Sequence, residues 1–233
     1  MPVSCVPARE PKPSAVSRIF IFGCARSGTT LLLNLFHTFA GVEVWDGENC
    51  FNALVAAPSA GTVVAKRTPT CADHLIEDAT RCRNAWIIEI LRDPRDVVTS
   101  KLSGEFYCDF ARWRRDVLTG QRLAGWHIRL LRLRYEHLVS DPDDVQRTLA
   151  AALGLQPVES FRAFVDVVPA SLSEVAQETL GGLRPIEAYR IQRWKTDAQQ
   201  RRRVKAQIEE YPDMETMLRW TGYPPTPTEL VSA

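Results

Sequence analysis

Two glycines near the start of the chain carry the spacing of a phosphate-binding loop. Gly23 and Gly28 follow an apolar run and match the pattern G-x-x-x-x-G-K-[ST], with Thr30 at the final hydroxyl position. The lysine of that pattern is missing because Thr29 occupies its place, and the cation inside the loop is Arg26. Backbone N–H groups of such a loop and the positive end of the following helix bind anions. The sequence therefore predicts phosphate binding without ordinary Mg²⁺-dependent ATP hydrolysis.

A second arginine and hydroxyl pair follows a later apolar run, in the segment LRDPRDVVTS. Arg92 comes directly after the run, and Pro94 favours the start of a helix. Ser100 is eight residues beyond Arg92, which predicts a position about two turns into that helix. A guanidinium and a hydroxyl held in this way can converge on a second phosphate. The two motifs together indicate a ligand with two separate phosphate groups.

Alternating strand and helix patterns provide the framework for both motifs. We predict strands at Arg18–Gly23, Thr62–Lys66, Trp86–Leu91 and Leu130–Tyr135, with a short one possible at Val42–Trp45. We predict helices at Gly28–Phe39, Ala72–Arg83, Pro94–Leu102 and Asp143–Leu153. Gly154 is the expected C-terminal cap of the last of these, and the region from Pro157 to Trp220 is helical without a strand. The alternation predicts a three-layer α/β/α fold with a central parallel sheet, whose ligands bind beyond the carboxyl ends of the strands.

Length and composition favour a single α/β domain. We expect a flexible N-terminal segment over residues 1–17, the domain over 18–222 and a Pro-rich C-terminal tail over 223–233. The six cysteines are scattered without a C-x-x-C pair, so a structural zinc site has little support. No apolar run approaches the ~18 residues of a membrane span. With 29 basic and 28 acidic residues, the chain does not have the strongly basic field of a dedicated nucleic-acid binder. A cytoplasmic protein with reduced thiols is the expectation, and the oligomeric state stays open.

The two phosphate motifs together resemble those of the sulfotransferases that use 3'-phosphoadenosine 5'-phosphosulfate (PAPS). RSGTT at 26–30 is similar to the family's 5'-phosphosulfate loop, [RK]-S-G-T-[ST], and Arg92 and Ser100 match its 3'-phosphate motif, R-[DN]-P-[RK]-D-x-x-x-S. RYEHL is similar to the family's R-Y-E-D-L segment, which implies that Tyr135 contacts adenine. RIQRWK at 190–195 resembles the late basic segment that closes over the 3'-phosphate. The resemblance covers roughly residues 18–197 and implies the P-loop NTPase-like sulfotransferase fold.

The resemblance implies which residues would hold the donor PAPS and its product, 3',5'-adenosine bisphosphate (PAP). They are Arg26, Ser27, Gly28, Thr29, Thr30, Arg92, Ser100, Tyr135, Arg193 and Lys195. In-line sulfuryl transfer builds negative charge on the leaving bridge oxygen, as phosphoryl transfer does. Arg26 and the hydroxyls of Thr29 and Thr30 are suited to stabilise that charge. No metal is required for this chemistry.

A further cation is expected beside the phosphosulfate. The segment KRTP resembles the family's K-T-P turn, so either Lys66 or Arg67 would face the donor. The phenol and steroid branch of the family places a histidine just after that lysine. In this chain Thr68 and Pro69 stand there instead, so that catalytic base is absent.

The base for the acceptor must therefore come from elsewhere. Other branches of the family use a glutamate in a G-E element shortly after the first helix. The segment DGEN supplies Glu48 in the corresponding region, which makes Glu48 the expected base. Asp46 and His74 are the alternatives.

The acceptor is expected to be a small molecule, because the chain is short for the family and leaves little room for a large peptide or polysaccharide cleft. The pattern does not distinguish phenol, glycan, lipid, peptide or secondary metabolite. Two other functions remain open at this point. One is a sulfotransferase-like protein that binds the nucleotide without turnover, and the other is a small P-loop kinase, against which Thr29 argues.

Overall fold

The structure, a computed structural model, describes residues 18–58, 61–67, 72–127, 129–169 and 172–230. The expected flexible segment 1–17 lies outside these residues. The strands of the main sheet are β1 (Arg18–Phe22), β2 (Val42–Val44), β3 (Thr62–Arg67), β4 (Trp86–Leu91) and β7 (Leu130–Arg134). They are parallel and lie in the order β2-β3-β1-β4-β7. A separate antiparallel hairpin consists of β5 (Lys101–Leu102) and β6 (Glu105–Phe106).

Helices cover both faces of the main sheet. They are α1 (Thr29–Leu35), α2 (Phe51–Val55), α3 (Ala72–Arg81), α4 (Pro94–Val98), α5 (Phe110–Ala124), α6 (Tyr135–Ser140), α7 (Pro142–Leu153), α8 (Glu174–Leu180), α9 (Ala198–Glu210) and α10 (Met214–Trp220). Short 3-10 helices lie at Phe36–Thr38, Phe161–Asp166, Ala188–Arg190, Arg193–Lys195 and Thr228–Leu230. Among the described residues, the region after α7 forms no strand of either sheet, as its sequence predicts.

Strand β1 shows why the fold has three layers. Its Ile19 and Ile21 pack into one core cluster together with Leu149 of α7. The alternate residues Phe20 and Phe22 pack into a second cluster on the opposite face. Because successive side chains of a strand point to opposite faces, a strand that is apolar throughout must be covered on both sides. The predicted α/β/α fold with a parallel sheet is confirmed.

The helix after β4 is shorter than the sequence pattern predicts. It begins as expected, with Pro94 in the first turn and the Asp93 carboxylate accepting from the N–H of Arg95 at 2.9 Å. It ends at Val98 rather than Leu102, so the prediction for its last turn is wrong. Ser103 and Gly104 have φ values of 50° and 87°, which suit the tight turn of a β-hairpin. That turn draws the preceding two residues into β5, and Ser100 therefore follows the helix instead of lying within it.

The other boundaries agree with the pattern to within a few residues. Helix α7 ends with Gly154 in the left-handed conformation, at φ 68°, which confirms the predicted cap. Tyr135 is the first residue of α6, although the sequence places it at the end of the strand. In the expected C-terminal tail, the Thr226 hydroxyl accepts from Arg95 Nη1 at 3.2 Å, so this part of the tail contacts the domain. No helix within the described ranges is long and apolar enough to cross a membrane.

Candidate active site

The loop between β1 and α1 has the geometry of an anion cradle. The N–H of Ser27 donates to the carbonyl of Cys24 at 3.0 Å, which closes a turn, and Arg26 has a φ of 70°. The N–H of Leu32 donates to Gly28 at 3.0 Å. The N–H groups in the first turn of a helix have no partner within that helix. In α1 these N–H groups belong to residues that border an open cleft. They are therefore available to an anionic ligand.

Both glycines of the loop are required by close approach to neighbouring elements. A Cβ on Gly23 would lie 2.5 Å from the carbonyl oxygen of Ile90. A Cβ on Gly28 would lie 2.6 Å from Cδ2 of Tyr135, and Gly28 also has a φ of 98°. The spacing of the glycines thus brings the loop against β4 and against the aromatic ring at the start of α6.

The side chain of Arg26 lies between the two predicted phosphate motifs. Its Nε donates to Ser100 Oγ at 3.0 Å, and its Nη1 contacts the carbonyl of Thr179 in α8 at 3.5 Å. Burial, and secondarily the charge of Arg92, lowers the pKa of Arg26 from its ordinary value. An anion in this position would relieve the repulsion between the two guanidinium groups. Ser100 therefore lies beside the loop, although it is not within a helix as the sequence pattern predicts.

Arg92 connects the separate motifs. It is 7 % exposed, and its Nη1 donates to the carbonyl of Arg26 at 2.9 Å. Its Nη2 donates to the carbonyl of Arg190 at 3.3 Å, and its guanidinium carbon lies 4.2 Å from the centre of the Tyr135 ring. In the described part of the chain, Nε of Arg92 has no hydrogen-bond partner. The loop, the aromatic residue and the late basic segment thus meet at this one side chain.

Three clefts meet at Arg26, which borders all of them. The first, of about 720 Å³, lies between the loop, Tyr135 and the segment 179–190. The second, of about 830 Å³, lies beyond Arg92 and Ser100. The third, of about 660 Å³, extends from Thr30 to the end of β3. The arrangement suits an elongated ligand whose anionic groups lie near Arg26.

Lys66 and Glu48 form an ion pair at the edge of the third cleft. Lys66 is buried, whereas Glu48 is exposed. Arg67, the alternative to Lys66, is on the opposite side of the strand, and its Nη1 lies 2.6 Å from Sγ of Cys50. Of the two candidate cations, Lys66 is the one that borders this cleft.

Of the two alternative bases, Asp46 borders the third cleft as Glu48 does, whereas His74 does not. Asp46 accepts from the N–H of Gly47 at 2.7 Å and from the N–H of Ser173 at 2.8 Å. Burial acts to raise the pKa of Asp46, but the hydrogen bonds from Ser173 and Gly47 outweigh it and lower that pKa below its ordinary value. A carboxylate held in this way is a weaker base. His74 is exposed on α3 and borders none of the three clefts.

The late basic segment contributes different residues from those that its sequence suggests. Arg193 borders the second cleft. Lys195 borders none of the three, because its Nζ lies beside the Trp194 ring, 5.7 Å from its centre. Arg190 borders both the first and the second cleft, and Arg184 borders the first. Arg190 begins the RIQRWK segment, so the signal was present in the sequence, whereas no motif marks Arg184.

Two buried polar groups complete the site. The Oγ of Ser27 is buried and has no hydrogen-bond partner among the described residues, and Ser27 borders none of the three clefts. Asp96 borders the second cleft and accepts from the N–H of Gln192 at 2.9 Å. Burial raises the pKa of Asp96 to about 7, against the opposing effect of Arg92. Asp96 therefore carries only part of a negative charge near neutral pH, which leaves the arginines less compensated.

Comparisons with known proteins agree with the resemblance to sulfotransferases that the sequence motifs indicate. Residues 46–160 match the model of the sulfotransferase family. The sulfotransferase domain of the Synechococcus PCC 7002 olefin synthase has a similar fold, with a TM-score of 0.56 and 16 % identity, over 81 % of this chain and 91 % of that one. The sulfotransferase domain from the curacin biosynthetic pathway gives a TM-score of 0.59 and 17 % identity, over 91 % of this chain and 99 % of that one. No curated protein sequence matches this chain.

Proposed function

This chain is a protein of the sulfotransferase family, by the match over residues 46–160 and by its fold, and we propose that it uses PAPS as sulfuryl donor. The acceptor is a hydroxyl or amine of a small molecule. The product nucleotide is then PAP, and no metal takes part. The activity class follows from the family, whereas the donor, the acceptor and the roles of individual residues are proposals.

The observation that carries the proposal is the position of Arg92 between two clefts. One cleft contains the loop and Tyr135, and the other contains Ser100 and Arg193. PAPS has anionic groups on two different carbons of its ribose. A nucleoside in the first cleft could therefore extend its phosphosulfate toward the loop and its 3'-phosphate toward the second cleft. A nucleoside triphosphate, with its phosphates in one chain, has no group for the second cleft.

The proposed reaction uses groups on either side of Arg26. The sulfuryl group leaves the bridge oxygen of the donor and forms a bond to the acceptor oxygen, whose proton passes to Glu48. Loop N–H groups, Arg26 and the hydroxyl of Thr30 stabilise the charge that grows on the leaving oxygen. Lys66 is placed to attract the oxygens of the moving sulfuryl group, since it borders the third cleft together with Thr30.

Calorimetric titration with PAP is the experiment that tests the proposed donor. We expect tight binding to the wild type, strong loss of affinity in Arg92→Ala and no comparable binding of Mg·ATP. Arg147→Ala is the matched control, because Arg147 is exposed on α7 and pairs with Asp144. Preference for Mg·ATP would contradict the proposal and favour a kinase.

A turnover assay separates the enzyme from a protein that only binds the nucleotide. The wild type is incubated with PAPS and a panel of phenols, alcohols and amines, and the formation of PAP is measured. Acceptor-dependent formation of PAP supports transfer. Binding of PAP without turnover on any acceptor of the panel favours the binding module.

A further inference from the structure

Two cysteines lie directly behind the anion-binding loop. Cys24 belongs to the loop, and Cys108 precedes α5 in the chain. Each is 3 % exposed, and both pack in the same buried cluster. The thiol of Cys108 donates to the carbonyl of Ala25 at 3.4 Å and so lies against the residue that follows Cys24. The proposed transfer reaction uses neither sulfur.

We propose that Cys24 and Cys108 form a redox-sensitive dithiol, which a hydroperoxide converts to a disulfide that deforms the loop and weakens its binding of anions. The proposal depends on the proposed function only for the choice of PAP as the probe ligand. The chemistry of the pair itself follows from the side chains that surround it.

The surroundings favour one cysteine as the reacting thiolate. The hydrogen bond with Cys24 holds the pKa of Cys108 below its ordinary value, and the charges of Arg112 and Arg26 act in the same direction against burial. The same hydrogen bond, with burial and the nearby charge of Asp116, raises the pKa of Cys24. A thiolate is the form of cysteine that attacks peroxides.

The reaction balances with a hydroperoxide as the only co-reactant. The Cys108 thiolate attacks the outer oxygen, the O–O bond breaks, and the alcohol or water leaves with one proton. Cys24 then attacks the sulfur of the sulfenic acid, the S–O bond breaks and water leaves. The sum is two thiols and one hydroperoxide giving one disulfide, one alcohol or water, and one water.

The pair is close to a path for a small oxidant. The third cleft is bordered by Ala25 and Tyr107, which are the chain neighbours of Cys24 and Cys108. Neither cysteine borders this cleft itself, so a hydroperoxide reaches the two sulfurs only through motion of these neighbouring residues. Larger oxidants, such as disulfides of tripeptide size, have much less access to thiols that are this deeply buried.

Formation of the disulfide would change the conformation of the loop. An S–S bond is about 2.05 Å long, shorter than any non-bonded contact between two sulfurs, so Cys24 and Cys108 must draw together, and Cys24 belongs to the loop. The contact from Cys108 to the Ala25 carbonyl is lost with the thiol proton. The Cys24 carbonyl, which accepts from Ser27 and closes the turn of the loop, moves with its residue. Arg26 and the N–H groups that would hold the anion follow directly in the chain.

The test compares the full-length reduced protein with the same protein treated with hydrogen peroxide. We expect peptide mapping to show a Cys24–Cys108 crosslink, and hydrogen exchange of the peptide that contains Gly23–Thr30 to change. The affinity for PAP should fall at least about fivefold, a typical coupling between sites, and recover with a dithiol reductant. Cys108→Ser and Cys24→Ser should each abolish the peroxide response.

Cys50→Ser and Cys82→Ser are the matched controls and should respond to peroxide as the wild type does. Absence of the crosslink, or a crosslink that leaves hydrogen exchange of the loop unchanged, overturns the proposal. These two readouts need no nucleotide. If the reduced protein fails to bind PAP, the proposed function fails, while the crosslink and the exchange data still decide the redox proposal.

Discussion

Arg92 donates from Nη1 to the carbonyl oxygen of Arg26 at 2.9 Å, across 66 positions of sequence. The bond joins the second phosphate motif to the backbone of the first. Because the same guanidinium also lies 4.2 Å from the centre of the Tyr135 ring, its plane is fixed by contacts on two sides. Arg92 therefore positions the loop as well as offering charge to a ligand.

Arg92→Lys should lower the affinity for PAP by about 10- to 100-fold. Lysine keeps the charge, but it lacks the planar fork that contacts two carbonyls and stacks on the aromatic ring, and hydrogen bonds of charged groups contribute about 1.5–3 kcal/mol. Calorimetry measures the change, with Arg147→Lys as the control. An affinity within twofold of the wild type would show that only the charge of Arg92 matters.

Ser100→Ala should weaken PAP binding about fivefold. The substitution removes the acceptor at 3.0 Å from Arg26 Nε, a bond of about 1 kcal/mol, and leaves the guanidinium less well oriented. Ser140→Ala is a suitable control, since Ser140 is exposed at the end of α6. Equal affinities of the Ser100 variant and the wild type would mean that this bond does not survive when the ligand binds.

Ser100 also illustrates which parts of the site the sequence predicts. The sequence predicts that both motifs follow the carboxyl ends of parallel strands, and β1 and β4 are adjacent in the sheet, but the direct contact of Ser100 with Arg26 is not among its predictions. The secondary structure of Ser100 does not follow either, because the hairpin turn at Ser103 and Gly104 overrides the local helical pattern. A prediction from the local spacing of apolar residues does not include the effect of such a turn on the neighbouring backbone.

The late basic segment was harder to predict for a different reason. A run of basic residues does not say which of them faces inward, and the backbone changes direction at Gln192, which has a φ of 59°. Arg190 is therefore turned toward the clefts, while Lys195 lies against Trp194. The sequence likewise leaves the choice between Lys66 and Arg67 open. KRTP has one residue more than the K-T-P turn that it resembles, so the pattern does not say which of the two side chains faces the ligand.

Gly28→Ala should destabilise the protein more than Gly154→Ala does. Both glycines have a positive φ, so both variants carry the strain of about 1–2 kcal/mol of the left-handed conformation. Only Gly28 also brings its new Cβ to within 2.6 Å of Tyr135, whereas nothing lies within 4 Å of a Cβ at Gly154. Urea denaturation compares the two. Equal losses would mean that the Tyr135 ring moves aside freely.

The same pair of variants tests the cradle. Gly28→Ala should also weaken PAP binding, because a displaced Tyr135 disturbs both the first cleft and the ring beneath Arg92. Gly154→Ala, at the end of α7, should leave binding unchanged. Unchanged binding in both variants would contradict the placement of the nucleotide between the loop and Tyr135.

Glu48→Gln should lower kcat about 10²- to 10⁴-fold, the usual contribution of a general base, with PAP affinity within about twofold of the wild type. The amide keeps the size of the side chain, but it can no longer accept the proton and no longer forms an ion pair with Lys66. Glu43→Gln is the control, because Glu43 is an exposed carboxylate of β2. Turnover is followed by formation of PAP on the best acceptor of the panel. A kcat within a few fold of the wild type would transfer the role of base to Asp46 or His74.

Glu89→Gln should change the pH dependence of stability. Glu89 is 1 % exposed on β4, where a Cβ at Gly120 would overlap its carboxylate, and its Oε2 accepts from Arg132 Nε at 2.6 Å. Burial raises the pKa of Glu89 from 4.5 to about 7, even though Arg132 acts to lower it. The folded protein therefore holds a proton that the unfolded chain has already released between these pH values. In that window the free energy of unfolding of the wild type falls as pH rises.

Glutamine has no proton to lose, so the stability of Glu89→Gln relative to the wild type should rise between pH 4.5 and pH 8, by on the order of 2–3 kcal/mol. Urea denaturation at both pH values measures this difference. Asp96, whose pKa is also raised, is present in both proteins, and its contribution cancels in the comparison. Glu209→Gln, an exposed change on α9, should show no such trend. A relative stability of Glu89→Gln that stays constant with pH would mean that Arg132 keeps Glu89 ionised throughout.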